Sequence, residues 1–196
     1  MAVLTATAFI ALGIAVTLVV WLLAYRKKEP PDFALVLKPF VQLPMTVPAN
    51  AASLPDDAVV IGVEAGGRHR AYLLEALYPS ASHVINDLVG GKPITVTYCD
   101  MTDCVAVFTA PNSDKPLEIA VGGWQGQMVH GKPQGSMLLR VGSNWYRQDN
   151  GQPRANHGDP PFPYTKTDFT RTTWKEWSGE HKDTDVYVGD VKAEGD

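Results

Sequence analysis

Residues 58–73 read Ala-Val-Val-Ile-Gly-Val-Glu-Ala-Gly-Gly-Arg-His-Arg-Ala-Tyr-Leu, which are two extended runs on either side of a Gly-Gly pair. Glycine accepts the positive φ that the tight turn of a β-hairpin requires, so Gly66-Gly67 predicts a hairpin. The pattern recurs at residues 83–98, where Gly90-Gly91 separates a second pair of extended runs. Two hairpins so close together in the chain predict an antiparallel meander.

The remainder of the chain favours short strands over long helices. Fifteen prolines and 17 glycines interrupt it too often for long soluble helices. Thr173, followed three residues later by Glu176, is a capping pattern that predicts one short helix. We therefore predict a β-rich soluble domain, mainly antiparallel with minor α content, over residues 58–188, followed by a flexible tail at 189–196. Further strands are expected at Val105–Thr109, Leu117–Val121, Ser136–Val141, Asn144–Arg147 and Val186–Val188.

The N-terminal segment is apolar enough to cross a membrane. Residues 2–25 contain no charged side chain, and at about 1.5 Å per residue such a run spans a hydrocarbon core of roughly 30 Å. No Lys or Arg precedes it, and it ends in aromatic residues rather than in a small-residue cleavage site. We predict one transmembrane helix, a single-pass protein at the cell membrane, and lipid as the partner of residues 2–25.

Residues 26–57 are expected to form a semi-rigid connector, because their prolines oppose helix formation and central-strand pairing. Two apolar pieces, residues 33–37 and 40–43, suggest that part of the connector lies against the domain or the membrane, or forms an edge strand. Arg26-Lys27-Lys28 directly follows the apolar helix, and the positive-inside rule then favours a cytoplasmic domain. The prolines are Pro30, Pro31, Pro39, Pro44, Pro48 and Pro55.

Charge and motif content argue against two classes of ligand. The net charge is -4, and the basic residues after Lys28 are scattered, so no positive stripe follows a phosphate backbone. The glycine-rich residues 122–126 lack the Lys-Ser/Thr pair of a phosphate-binding loop. We expect neither nucleic acid nor nucleotide as a partner. His69 and His181 are predicted to be solvated surface side chains.

Two cysteines form the one constellation in the sequence that points to chemistry. If Asp100-Met101-Thr102-Asp103 makes a turn, Cys99 and Cys104 face each other across an antiparallel pair, within disulfide range. A structural disulfide is the preferred interpretation, and two quiet thiols are the next. A metal site for Cu or Zn would use Cys99, Cys104 and His130, with His83 and Met101 as other donors of suitable type. No cofactor is predicted otherwise.

Three separated motifs resemble a known family. Residues 62–72, residues 86–99 and the C-terminal run 172–186 are similar to the prokaryotic family called domain of unknown function 3179, and the likeness spans about residues 58–188. The resemblance implies an extracytoplasmic domain and brings no established activity. Family members commonly place two residues between their cysteines, whereas four lie between Cys99 and Cys104. The side of the membrane therefore stays open, because the resemblance and the charges after the helix disagree.

The expected function follows from the anchor and from the lack of a complete catalytic constellation in the sequence. We expect a membrane-anchored, non-enzymatic binding or assembly module, such as an accessory subunit of a membrane complex with other membrane-complex subunits as partners. The alternative is a small metal-binding or thiol-redox protein centred on Cys99 and Cys104.

Overall fold

The computed structural model describes residues 40–154 and 158–189. The predicted transmembrane helix at residues 2–25 and the tail beyond Gly189 lie outside these ranges. Within them, no helix is long and apolar enough to cross a membrane. The strands of these described ranges are β1 (Val41–Gln42), β2 (Val47–Pro48), β3 (Val59–Ala65), β4 (Arg68–Leu73), β5 (Val84–Val89), β6 (Lys92–Cys99), β7 (Cys104–Thr109), β8 (Ile119–Val129), β9 (Lys132–Val141), β10 (Asn144–Arg147), β11 (Thr165–Lys166), β12 (Thr170–Thr173) and β13 (Asp185–Tyr187). They also contain one α-helix, α1 (Trp174–Glu180).

The β-rich prediction is confirmed by three mostly antiparallel sheets and little helix. Their strand orders are β1-β5-β6-β7-β11, β12-β3-β4-β13-β2 and β10-β9-β8. Two ladders are parallel, β1 with β5 and β13 with β4. Within residues 40–154 and 158–189, three 3-10 turns supply the rest of the helical content, at residues 49–51, 74–77 and 80–82.

Both predicted hairpins form, but the predicted meander is wrong. The turn residues Gly66, Gly67, Gly90 and Gly91 have φ of 55°, 71°, 56° and 74°, as the Gly-Gly pairs require. The first hairpin, however, belongs to the sheet of β12 and β13, and the second to the sheet of β1 and β7. The chain changes sheet through the 3-10 turns between them, because the apolar faces of the two hairpins bury each other in one cluster. The two turns abut, since a Cβ on Gly66 would lie 2.2 Å from the carbonyl oxygen of Gly90.

The described part of the predicted connector is built into the sheets. β1 pairs with β5, and β2 pairs with β13, so both strands extend sheet edges. Proline density did not prevent this, because an edge strand needs hydrogen bonds on one side only. Pro48 ends β2 and occupies such an edge position.

The predicted helix near Thr173 is confirmed, and it covers one face of the first hairpin. Thr173 accepts a hydrogen bond from the backbone N–H of Glu176, and the Glu176 side chain returns to the Thr173 backbone, which completes a capping box. The buried indole of Trp177 lies directly on Gly62 of β3, where a Cβ would come within 2.3 Å of the ring. Only glycine fits beneath that ring, so Gly62 allows α1 to pack closely against β3.

Candidate metal centre

The turn predicted between the two cysteines is confirmed, but the predicted disulfide is wrong. Cys99 and Cys104 are direct Cα partners across β6 and β7, and both thiols are free. Cys99 is buried in the cluster that includes Val84 and Phe108, and the Cys104 thiol lies 3.8 Å from the carbonyl oxygen of Val105. Burial, together with the neighbouring Cys99, raises the pKa of the Cys104 thiol. Both observations fit quiet thiols that pack against the core.

His130 does not join the cysteines. It has a φ of 50° in the turn between β8 and β9, and it is exposed. Met137, which shares the buried cluster of Cys99, pairs with Trp124. His130 lies six residues beyond Trp124, which is roughly 20 Å of extended strand. The three residues proposed from sequence as metal ligands are therefore not brought together.

The structure instead assembles a cluster from Glu64, His69 and His181. Glu64 and His69 are direct partners across the β3–β4 hairpin, so their side chains project from the same face. That face also carries Gly62, over which the ring of Trp177 lies. His181 follows α1 immediately, and its ring lies 4.0 Å from Trp177 and 4.2 Å from His69, measured between ring centroids. α1 therefore places His181 beside His69.

The spacing of the donor atoms suits a metal ion. The Nε2 atom of His69 lies 3.7 Å from one carboxylate oxygen of Glu64, and the Nε2 atom of His181 lies 3.8 Å from the other. These separations are too long for direct hydrogen bonds. A tetrahedral ion bound at about 2.0–2.1 Å holds its ligand atoms roughly 3.3 Å apart. With one ligand atom taken from each residue, the three atoms lie within 4.8 Å of one another, so the cluster would need to contract by up to about 1.5 Å for one ion to bind all three.

Asp183 orients His69 for this role. Its carboxylate lies 3.0 Å from Nδ1 of His69, and the hydrogen bond from the imidazole lowers the pKa of Asp183 below its ordinary value. When Nδ1 carries the proton, the lone pair of the neutral ring is on Nε2, the atom that faces Glu64. Metal-binding histidines commonly donate their other ring N–H to a carboxylate in this way. The side chains of His69 and His181 are 26% and 16% exposed, whereas that of Glu64 is 63% exposed.

The prediction that His69 and His181 are solvated surface side chains is therefore corrected, because the Trp177 ring and the hairpin enclose most of each imidazole. Part of this cluster was within reach of sequence reasoning. The Gly66-Gly67 turn sets the register that places Glu64 opposite His69. His181 comes far later in the chain, and no spacing rule links it to the hairpin.

Asp87 belongs to a different, structural network. Its side chain is 2% exposed and accepts hydrogen bonds from Arg70 at 2.6 Å and from the Tyr72 hydroxyl at 2.7 Å. Arg70 also binds Asp185 at 2.7 Å. Burial disfavours the charged guanidinium, but the hydrogen bonds to Asp185 and Asp87 outweigh it and raise the pKa of Arg70. The network ties β4, β5 and β13 together, and each carboxylate oxygen of Asp87 and Asp185 accepts a hydrogen bond within it.

One comparison with known proteins names a family for this chain. The family model described as Protein of unknown function (DUF3179) matches residues 39–194. No curated protein and no solved structure matches the chain. The family match takes in both hairpins, α1 and all the residues of the cluster. Because it covers well over half of the 196 residues, the chain belongs to the DUF3179 family of proteins of unknown function.

Proposed function

We propose that this protein is a membrane-anchored, non-enzymatic module that binds a divalent transition metal through Glu64, His69 and His181. The observation that carries the proposal is the convergence of two imidazole Nε2 atoms on one carboxylate, with the Asp183 carboxylate 3.0 Å from Nδ1 of His69. A proton on Nδ1 leaves Nε2 of that ring to bind metal. Residues 2–25 supply the anchor through their contact with lipid. Other subunits of a membrane complex are the expected recipients or donors of the metal.

The donor set favours Zn²⁺ or Cu²⁺ among the available ions. Imidazole suits Zn, Cu and Ni, whereas an oxygen-only set suits Mg and Ca. Three protein ligands leave a coordination position open. Glu64 is the most exposed of the three side chains and lies on the solvent side, so that position faces outward. An open, exposed site exchanges its metal more readily than a closed structural one.

The thiol-redox alternative has weaker support. The reactive form of a cysteine is the thiolate, and burial raises the pKa of Cys104, which disfavours that form. Cys99 is 2% exposed and packs among apolar side chains. Neither thiol lies in the cluster of Glu64, His69 and His181.

Calorimetric titration of the full chain in detergent with Zn²⁺ and Cu²⁺ tests the metal site. We expect one ion per chain, loss of binding in His69→Ala and His181→Ala, and affinity weakened by roughly 10–100-fold in Asp183→Asn. His130→Ala is the matched control, because that histidine is exposed in the turn between β8 and β9, does not belong to the cluster and should not change binding. Unaltered binding in both His69→Ala and His181→Ala would refute the site.

Alkaline carbonate extraction of cell membranes tests the anchor separately. We expect the full chain to stay in the membrane pellet, and a chain lacking residues 2–25 to be released. Release of the full chain would remove the membrane part of the proposal and leave the metal site to be judged by calorimetry.

A further inference from the structure

The long hairpin of β8 and β9 has one edge that differs from the other sheet edges in residues 40–154 and 158–189. β8 is the last strand of its sheet and runs for 11 residues, Ile119–Val129, without a charged residue or a proline. Its first residue is capped, because the side-chain amide of Asn86 hydrogen-bonds both the N–H and the carbonyl of Ile119. The part of the edge beyond Val121 has no such cover among these residues. Natural proteins normally block long edges, because free backbone groups recruit another strand.

The other edges carry the usual protection. β1, β2 and β11 are two residues long, and β2 ends in Pro48. β12 carries Arg171. β10 is covered by the following segment, since Arg147 N–H donates to the carbonyl of Gln152 and Arg154 N–H donates to that of Trp145. The contrast extends to the hairpin itself, where β9 begins with Lys132-Pro133.

The turn at the hairpin tip fixes which backbone groups of β8 point outward. Two residues, His130 and Gly131, connect Val129 to its partner Lys132. Residues that flank a two-residue turn form a hydrogen-bonded pair, and the pairs alternate from there. Counting back along β8, Trp124, Gly126 and Met128 direct their N–H and carbonyl groups away from β9. The same alternation directs Met137 outward from β9, and its carbonyl does accept a hydrogen bond from the Gln148 N–H.

We propose that β8 pairs antiparallel with β8 of a second copy of this chain, around a two-fold axis that passes through Gly126. In that register Gly126 faces its own counterpart, and Trp124 of each chain faces Met128 of the other. The three outward residues of each strand then form roughly six backbone hydrogen bonds across the axis. A closed dimer results, because the same strand contacts itself through the two-fold axis.

The side chains of β8 suit this occupant. An uncharged strand meets its own copy without like-charge repulsion in any register. Met128 is 61% exposed, which is unusual for a large apolar side chain on a strand, and the pairing covers it with the partner's indole. Trp124 lies over the facing glycines Gly126 and Gly135, where a Cβ would approach its ring within 2.9 and 2.7 Å. The indole is thereby held on the face where the partner's Met128 arrives.

The test is the mass of the full chain in detergent, measured by light scattering over a roughly hundredfold range of concentration. We expect a protein mass of twice 21.3 kDa for the wild type at high concentration. Met128→Pro removes an outward N–H that β9 does not use, and it should leave a single chain. Met128→Leu keeps the N–H and an apolar side chain, and it is the matched control that should stay dimeric. The cross-strand partner of Met128 is already a proline, Pro133, so this position of the hairpin forms without a backbone N–H on that strand, and we expect Met128→Pro to fold.

Three results would overturn the proposal. They are a single-chain mass for the wild type throughout the range, a dimer that survives Met128→Pro, and open-ended assemblies larger than two chains. Hydrogen exchange supplies a second readout that does not depend on the variant folding. The amides of Trp124, Gly126 and Met128 should exchange slowly in concentrated wild-type protein and at least tenfold faster on dilution, and fast exchange at both concentrations would also refute the pairing. All measurements are made in the presence of a chelator, so that the metal site has no influence on them.

Discussion

Replacing Gly62 with alanine would place a methyl carbon 2.3 Å from two ring carbons of Trp177. Trp177 is 1% exposed and is packed in a cluster with Val60, Ala71 and Val186, so the ring cannot retreat without opening that cluster. Overpacking in a close-packed interior costs about 1–3 kcal/mol. In a chain of this size, each kcal/mol lowers the melting temperature by about 2–4 °C. We therefore expect Gly62→Ala to melt roughly 2–12 °C below the wild type.

Thermal and urea melts followed by circular dichroism measure this difference. Gly179→Ala is the matched control, because it makes the same chemical change in α1, where nothing lies within 4 Å of the added carbon. Alanine is the better helix former by about 0.5–1 kcal/mol, so this control should be slightly more stable than the wild type. A Gly62→Ala protein that melts with the wild type would show that Trp177 does not lie against β3.

Gly62→Ala should also affect the candidate metal centre. The ring of His181 lies against Trp177 and stacks on His69, so a displaced indole moves one of the two imidazole ligands away from the other. We expect Gly62→Ala to weaken Zn²⁺ binding, although Gly62 supplies no ligand. Trp177→Leu removes the ring that clashes, and in that background Gly62→Ala should destabilise the protein much less. Additive effects of the two changes on the free energy of unfolding would contradict the proposed contact.

Three further predictions concern other parts of the fold. Asp87→Asn removes the more deeply buried of the two carboxylates that bind Arg70 and leaves Asp185 in place, so urea melts should show a loss of about 1.5–3 kcal/mol, the range for a hydrogen bond to a charged group; a loss well below about 1 kcal/mol would place the charge in solvent. The hydrogen bond from Arg171 lowers the pKa of Asp103 below its ordinary value of 3.8, so the stability that Asp103 contributes is present above pH 3.8 and is lost as the pH falls through the lower pKa of the folded state. Arg171→Met should therefore make the free energy of unfolding less sensitive to pH in that acid range, and an unchanged pH profile would argue against the ion pair. Both cysteine thiols are free and mostly buried, so a thiol reagent should react slowly with the native protein but titrate two thiols per chain in urea without reductant. Finding no titratable thiol in urea would indicate a disulfide.

Much of the local structure was predictable because its causes lie within a few residues. Gly66-Gly67 and Gly90-Gly91 have the positive φ that hairpin turns need, whatever surrounds them. The helix at Thr173 begins with a capping box formed by residues three apart. The turn between the two cysteines follows from three polar, turn-tolerant residues, Asp100, Thr102 and Asp103. A transmembrane helix at residues 2–25 is a prediction of the same local kind, made from the composition of one segment.

The fates of the predicted site residues could not be read from the sequence, because they depend on contacts between distant segments. Hairpin pairing is local, but the choice between one sheet and two depends on which apolar faces bury each other. Cys99 and Cys104 were placed opposite each other correctly, yet the packing around them leaves the thiols unbonded. His130 was grouped with the cysteines by residue type alone, and the long β8–β9 hairpin places it far from them.

Interactions between residues close together in the chain thus determine the two hairpins and the capped helix. They also place Glu64 opposite His69, because the tight turn at Gly66-Gly67 fixes the register of that hairpin. Only the tertiary structure brought His181 to that pair, because its position depends on an indole ring that finds room above Gly62. A steric fit between residues so far apart in the chain leaves no periodic or spaced signal. The candidate metal centre is therefore a product of packing, whereas the hairpin that carries two of its ligands is a product of backbone preference.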